Sequence, residues 1–164
     1  MNLPESITDS NALRALVQVK YSQMNALLEA TKAINDNVSA DSLYQIFKFT
    51  LKSQLQVQKL ALFMYDQAWK RAVWESDVND IYIPIQSHFE KFKTITELTE
   101  QEQKIFGGFK YVVPVYHKHN PLALALLGNI ADDVLHQKKD MLEFTQTFTN
   151  IITVAVENKR LFKK

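Results

Sequence analysis

Four histidines and no cysteine bound the chemistry open to this 164-residue chain. Without Cys there are no disulfides, thiol nucleophiles, Cys-ligated zinc sites, iron–sulfur clusters or thioether-linked chromophores. His117 and His119 are two apart, so on a strand they would share a face and could ligate a metal. They flank Lys118 and run into Asn120-Pro121, a turn signal, and a solvated hairpin tip accounts for them better. Asp132, His136 and Asp140 fall at i, i+4 and i+8, one helical stripe. Three side chains on one helix need further partners to hold a metal, whereas aspartates at a helix start cap and charge it. No metal site is expected.

His88 is the candidate ligand contact. Around it in sequence lie Tyr82, Phe89, Phe92 and Phe106, with Tyr65 and Trp74 on the hairpin before it. Such a lining would suit a haem or another aromatic ligand. The competing reading, favoured by composition, is that these aromatics fill the space themselves. For catalysis there is no nucleophile–base pair of interpretable spacing and no G-x-S-x-G. Asp77 and Asp80 lie in a turn. Only Gly107 and Gly108 are adjacent, so neither a Walker loop nor a dinucleotide fingerprint is present. The expectation is a non-catalytic chain with no cofactor.

Charge excludes other classes. Lys and Arg number 19 against 18 Asp and Glu, leaving no global field to draw nucleic acid or an anionic membrane. Lys159, Arg160, Lys163 and Lys164 form a basic end, as suits the negative pole of a helix. No apolar run approaches the ~20 residues of a membrane span, and the longest, residues 122–127, is strand-sized. No basic region followed by an apolar core marks a signal peptide. A cytoplasmic protein is expected.

The elements that must position these residues follow from periodicity. Residues 140–164 contain no Gly or Pro and predict one helix. Phe144, Phe148, Ile151, Ala155, Asn158 and Phe162 recur at alternating steps of four and three. A polar residue on such a seam fixes register and partner number in a paired helix, so this line, Asn158 included, is the predicted dimer interface. The helix runs off without a stop signal, as in a chain cut from something longer. Residues 1–10, with Pro4, read as a loose lead-in, and residues 11–164 as one domain. A helix is predicted from Asn11 to about Ile34, with Leu13, Val17, Met24, Leu27 and Ile34 on one stripe. A second begins at Ser39, an N-cap followed by Asp41. Residues 57–65 read as a central strand, residues 69–76 as its half-exposed hairpin partner. Ile81, Ile83 and Ile85 alternate as a short edge strand with Pro84, and residues 94–96 as another. Thr99 and Glu102 form a capping box for a short helix that Gly107-Gly108 ends. Residues 109–117 and 122–130 form the last hairpin. Two hairpins joined by an irregular crossover predict an α+β fold with an antiparallel sheet, helices on one face and a pocket under the crossover.

Three stretches carry a likeness. They are LLEATKAINDNVSADSLYQIFKFTLKSQLQVQKLALFMYD, YVVPVYHKHNPLALALLGNI with its proline and late glycine, and FTNIITVAVENKRLF. In this order they resemble the GAF domain family of sensory modules, over roughly residues 21–162. The resemblance implies a six-stranded antiparallel sheet, profilin-like, with the N- and C-terminal helices packed on one face and a small-molecule pocket on the other. It implies a homodimer through the terminal helices and an effector in a longer chain, such as a histidine kinase, a cyclase or a PPM-type phosphatase. The alternative is a structural dimerisation module with a filled pocket. The cyclic-nucleotide motif of the family is missing between residues 57 and 130. The bilin-attaching and methionine-sulfoxide-reducing branches need Cys, so none of these three activities is expected.

Overall fold

A computed structural model describes residues 3–77, 81–131 and 137–162, with side chains described between Ser10 and Leu161. The elements run α1 (Leu3–Asn35), α2 (Ala40–Leu55), β1 (Leu60–Tyr65), β2 (Trp69–Glu75), α3 (Ile85–His88), β3 (Thr96–Glu97), α4 (Glu100–Ile105), β4 (Tyr111–His117), β5 (Asn120–Leu127) and α5 (Lys138–Phe162). The strands form one antiparallel sheet of five, in the order β2-β1-β5-β4-β3. The class is α+β, as expected, but five strands replace the six. The predicted strand over Ile81, Ile83 and Ile85 does not form. Pro84 has no N–H to give a ladder, and the chain instead turns into α3 with Pro84 at its N-cap.

Alternation assigns the two faces of the sheet. Leu60, Leu62, Val113, Val115, Ala125 and Leu127 point to the back, into one core with Leu43, Phe47, Leu51 and Leu55 of α2, Ala30 of α1 and Phe144, Phe148 and Ile152 of α5. Ala61, Phe63, Val112, Leu124 and Leu126 point to the front, against Ile83, Ile85, Phe92, Leu98, Phe106 and Phe109. The terminal helices therefore share the back, as predicted. Thr145, Thr149 and Thr153 of α5 are also buried there. Each hydroxyl donates to the carbonyl four residues earlier, at 2.8, 2.6 and 2.7 Å, so none of the three is left unmet. Where β4 runs past the short β3, the carbonyl of Pro114 accepts from Gln146 Nε2 of α5 at 3.0 Å.

The caps hold. Ser39 Oγ accepts from the Ser42 N–H at 3.1 Å to start α2. Thr99 and Glu102 form both bonds of the capping box, and this hydrogen bonding holds the Glu102 carboxyl below its ordinary range. Gly107 and Gly108, at φ +67 and +87, end the chain's path out of α4. A Cβ at Gly107 would meet Ile83 Cδ1 at 2.7 Å, so the left-handed backbone favours glycine here and a larger residue would also need the Ile83 side chain to shift.

α1 differs most from expectation. It begins at Leu3 rather than at residue 11, because Pro4 falls in the first turn, where a missing N–H costs nothing. Of the predicted stripe, Leu27 and Ile34 pack against the domain with Gln23, Ala26 and Ala30, while Leu13, Val17 and Met24 are exposed. Among the described side chains, those that pack against the core lie from Val19 onward. α5 starts two residues before Asp140, and Asp132 and His136 lie outside the described residues.

Candidate functional site

One irregularity places the side chains of the front. β1 and β2 pair Leu62 with Val73 but Phe63 with Arg71, so Ala72 is an extra residue on β2. A one-residue slip sends everything beyond it to the opposite face. Strict alternation would put Trp69 and Arg71 opposite Trp74. With the bulge, Trp74, Arg71 and Trp69 sit beside Ala61, Phe63 and Tyr65, all on the front. The Arg71 guanidinium lies 4.7 Å from the centre of the Trp74 ring, within cation–π range.

Between β2 and the segment that enters α3 lies a groove of about 470 Å³, lined by Phe63, Trp69, Arg71, Ile81, Tyr82, Ile83, Ile85 and Gln86. This size falls in the range of small-molecule sites. Its wall is apolar and aromatic, with one cation, Arg71, and one amide, Gln86. Tyr82 is 81% exposed at its rim.

Of the seven residues expected to contact a ligand, Tyr82 lines the groove. The other six pack beside it, Tyr65 and Trp74 from the strands and His88, Phe89, Phe92 and Phe106 from the cover. Tyr65 and Phe89 surround Trp69, with ring centres 5.1 and 5.3 Å from it. Phe106 receives Phe92 and His88 edge-on, at 5.5 and 5.6 Å. Trp74 stands edge-on to Phe109 at 5.7 Å. Two ring nitrogens in this layer, Trp69 Nε1 and His88 Nδ1, are buried without a hydrogen-bond partner. A buried polar atom without a partner costs roughly 1–3 kcal/mol, and such atoms mark places where a further group can bind.

The groove residues Trp69, Arg71 and Gln86 were not singled out from sequence. Aromatic clustering around His88 drew attention to the filled part of the front. The bulge that turns Arg71 to the front face leaves no signature in the alternation of WKRAVWES.

Three residues of the predicted dimer seam are taken up within the chain itself. Phe144, Phe148 and Ala155 are buried in the chain's own core, because α2 and the sheet already occupy that side of α5. Ile151 is half-buried and Asn158 is exposed. The side chain of Phe162 lies outside the described residues. The exposed apolar row is on α1 instead: Leu13, Val17, Tyr21, Met24 and Leu28.

His117 and His119 lie exposed at the β4–β5 hairpin, and Asp140 pairs with Lys20 at 3.5 Å. Among the described residues no group of three His, Asp or Glu side chains gathers to hold a metal. Among them, too, no helix is long and apolar enough to cross a membrane.

Neither a protein-family model nor a curated protein matches this chain by sequence. Solved structures do match it in shape. The GAF domain of a protein described as a sensor histidine kinase, from Pseudomonas syringae pv. tomato, superposes with a TM-score of 0.65 at 8% identity, covering 92% of this chain and 96% of that one. The GAF domain of an Acinetobacter phosphoenolpyruvate-protein phosphotransferase superposes at 0.61 with 11% identity, covering 85% and 95%. The GAF domain of a two-component sensor histidine kinase from Bacillus halodurans gives 0.50 at 15% identity, covering 76% and 97%. The fold is GAF-like.

Proposed function

We propose that this chain, with its GAF-like fold, is a non-catalytic regulatory module that takes a small molecule into the front groove. Its terminal helices then carry the resulting change to an effector, in a homodimer. The groove carries the reading: about 470 Å³ of apolar and aromatic wall with a single guanidinium in it. That wall suits a compact, partly aromatic ligand with one acceptor group for Arg71. The exposed Tyr82 ring is placed to fold over such a ligand.

A thermal-shift screen of small metabolites tests this. A compound held at 100-fold its dissociation constant adds about 2.7 kcal/mol to stability. The expected hit loses its effect in Arg71→Ala and in Tyr82→Ala. A panel in which every shift survives both substitutions refutes the site. The edge-on packing of His88, Phe92 and Phe106 favours a second reading, a structural module with a closed front. In that case no shift depends on Arg71 or Tyr82.

Dimerisation is assigned to α1 rather than α5. Val17, Tyr21, Met24 and Leu28 recur at steps of four, three and four, the seam of a two-stranded coil. Sedimentation of Val17→Glu with Met24→Glu is expected to show a monomer where the parent shows a dimer. A parent that is already monomeric refutes the assignment.

A further inference from the structure

A larger cavity lies among the helices behind the sheet. It measures about 870 Å³ and opens where the end of α1, the start of α2 and the last turns of α5 meet. Ile34, Ala40, Ala155 and Val156 supply an apolar floor, the two alanines leaving the space. Lys159 and Arg160 stand at the rim.

The two cations are in different states. Arg160 is already neutralised, by a two-pronged contact with Glu157 and by Asp66 at 3.4 Å. Lys159 Nζ donates to Asn37 Oδ1 at 2.6 Å, a neutral amide. Among the described residues no carboxylate pairs with Lys159. An ammonium has three donors, so two remain for another acceptor. An apolar trough with one uncompensated cation at its mouth is complementary to a molecule with an alkyl body and one anionic head.

We propose that this cavity is a second binding site, for a single-chain carboxylate of medium length. The alkyl chain lies on Ile34, Ala40, Ala155 and Val156, and the carboxylate pairs with Lys159. Because three helices wall the cavity, the occupant bridges α5 to the α1–α2 junction, so its presence is felt where the two terminal helices meet. The site is independent of the front groove.

Calorimetric titration of the whole chain with octanoate, decanoate and decanol, below their aggregation concentrations, tests this. One-to-one binding is expected. Decanoate should bind at least ~10-fold more tightly than decanol, a gap worth about one charge-assisted contact. Each added methylene should tighten binding about threefold to fourfold. Lys159→Gln should erase the gap between acid and alcohol while leaving decanol binding unchanged. Ala40→Leu, which fills the floor, should weaken both, with its circular dichroism unaltered. Equal binding of acid and alcohol by the parent overturns the proposal. So does a gap that survives Lys159→Gln, or no binding of either compound. Loss of binding in Val17→Ser but not in Ala40→Leu also overturns it, because the ligand would then sit on the α1 row.

Discussion

The two faces of the sheet are built from different materials. Behind it, α2 and α5, of 16 and 25 residues, lay apolar faces on the strands, and the C-terminal part of the 33-residue α1 packs over those two helices. The threonine hydroxyls buried in that layer find carbonyls one turn back, while one phenol, Tyr111, keeps a buried hydroxyl without a partner. In front, the cover is assembled from helical turns of 4, 3 and 6 residues and a two-residue strand. Its aromatic rings meet edge-on, two of its ring nitrogens lack partners, and a groove remains open beside it. Long helices bury much surface per ordered residue, whereas short pieces must each meet the cost of ordering with few contacts. The back is therefore the scaffold, and the front is the part whose opening costs least.

The sharpest way to break this contrast is to delete one phenyl ring from each side. Phe148 on α5 and Phe92 in the cover are 0% and 2% exposed, so burial alone does not distinguish them. Loss of a buried Phe ring costs roughly 3–5 kcal/mol, depending on how far the surroundings collapse. Phe148→Ala is expected near ~5 kcal/mol, since rigid helices cannot close the hole, and Phe92→Ala near ~3 kcal/mol, since the short cover can settle. Urea denaturation measures both. Equal losses would mean that the cover is as rigid as the scaffold.

A smaller effect probes the edge of the back layer. Burial first, and the Glu97 charge second, push the Tyr111 phenol up to about 12, from an ordinary value of 10.0. Between these two values the unfolded chain releases a proton that the folded chain keeps, so stability falls as pH rises through that window. Below pH 10 the contribution is fully present. Tyr111→Phe should change the melting temperature little at pH 7 and flatten its decline between pH 10 and 12. A decline of unchanged steepness in the variant would assign the alkaline loss to another group.

Legibility followed the same division. The back could be read because its signals are periodic: the α2 face after the Ser39 cap, the α5 line through Phe144 and Phe148, the doubly apolar β1. Even there, periodicity told which side of α5 is apolar and not what covers it. The seam went to a dimer on paper and to α2 in the fold. On α1, one stripe was legible, but its division into a packed half and an exposed half depends on where the domain ends. In the front, the capping box at Thr99 was readable because it is a local bond pattern. Ile81, Ile83 and Ile85 alternate like a strand, yet a single proline and the absence of a neighbouring edge made them a groove wall. The position of Arg71 depended on a bulge, which arises from the pairing of two strands and is not a property of either sequence alone.

The reach of α1 has a mechanical consequence. At 1.5 Å per residue its 33 residues extend about 50 Å, and residues 10–18 along it are exposed. It works as a lever with its fulcrum at the seat of Gln23, Leu27 and Ala30. A tilt of about 10° there, within the small motions of packed helices, sweeps Ser10, about 25 Å from Leu27, through roughly 4 Å. A displacement too slight to notice at the sheet would thus arrive at the far end as a shift nearly the width of a side chain.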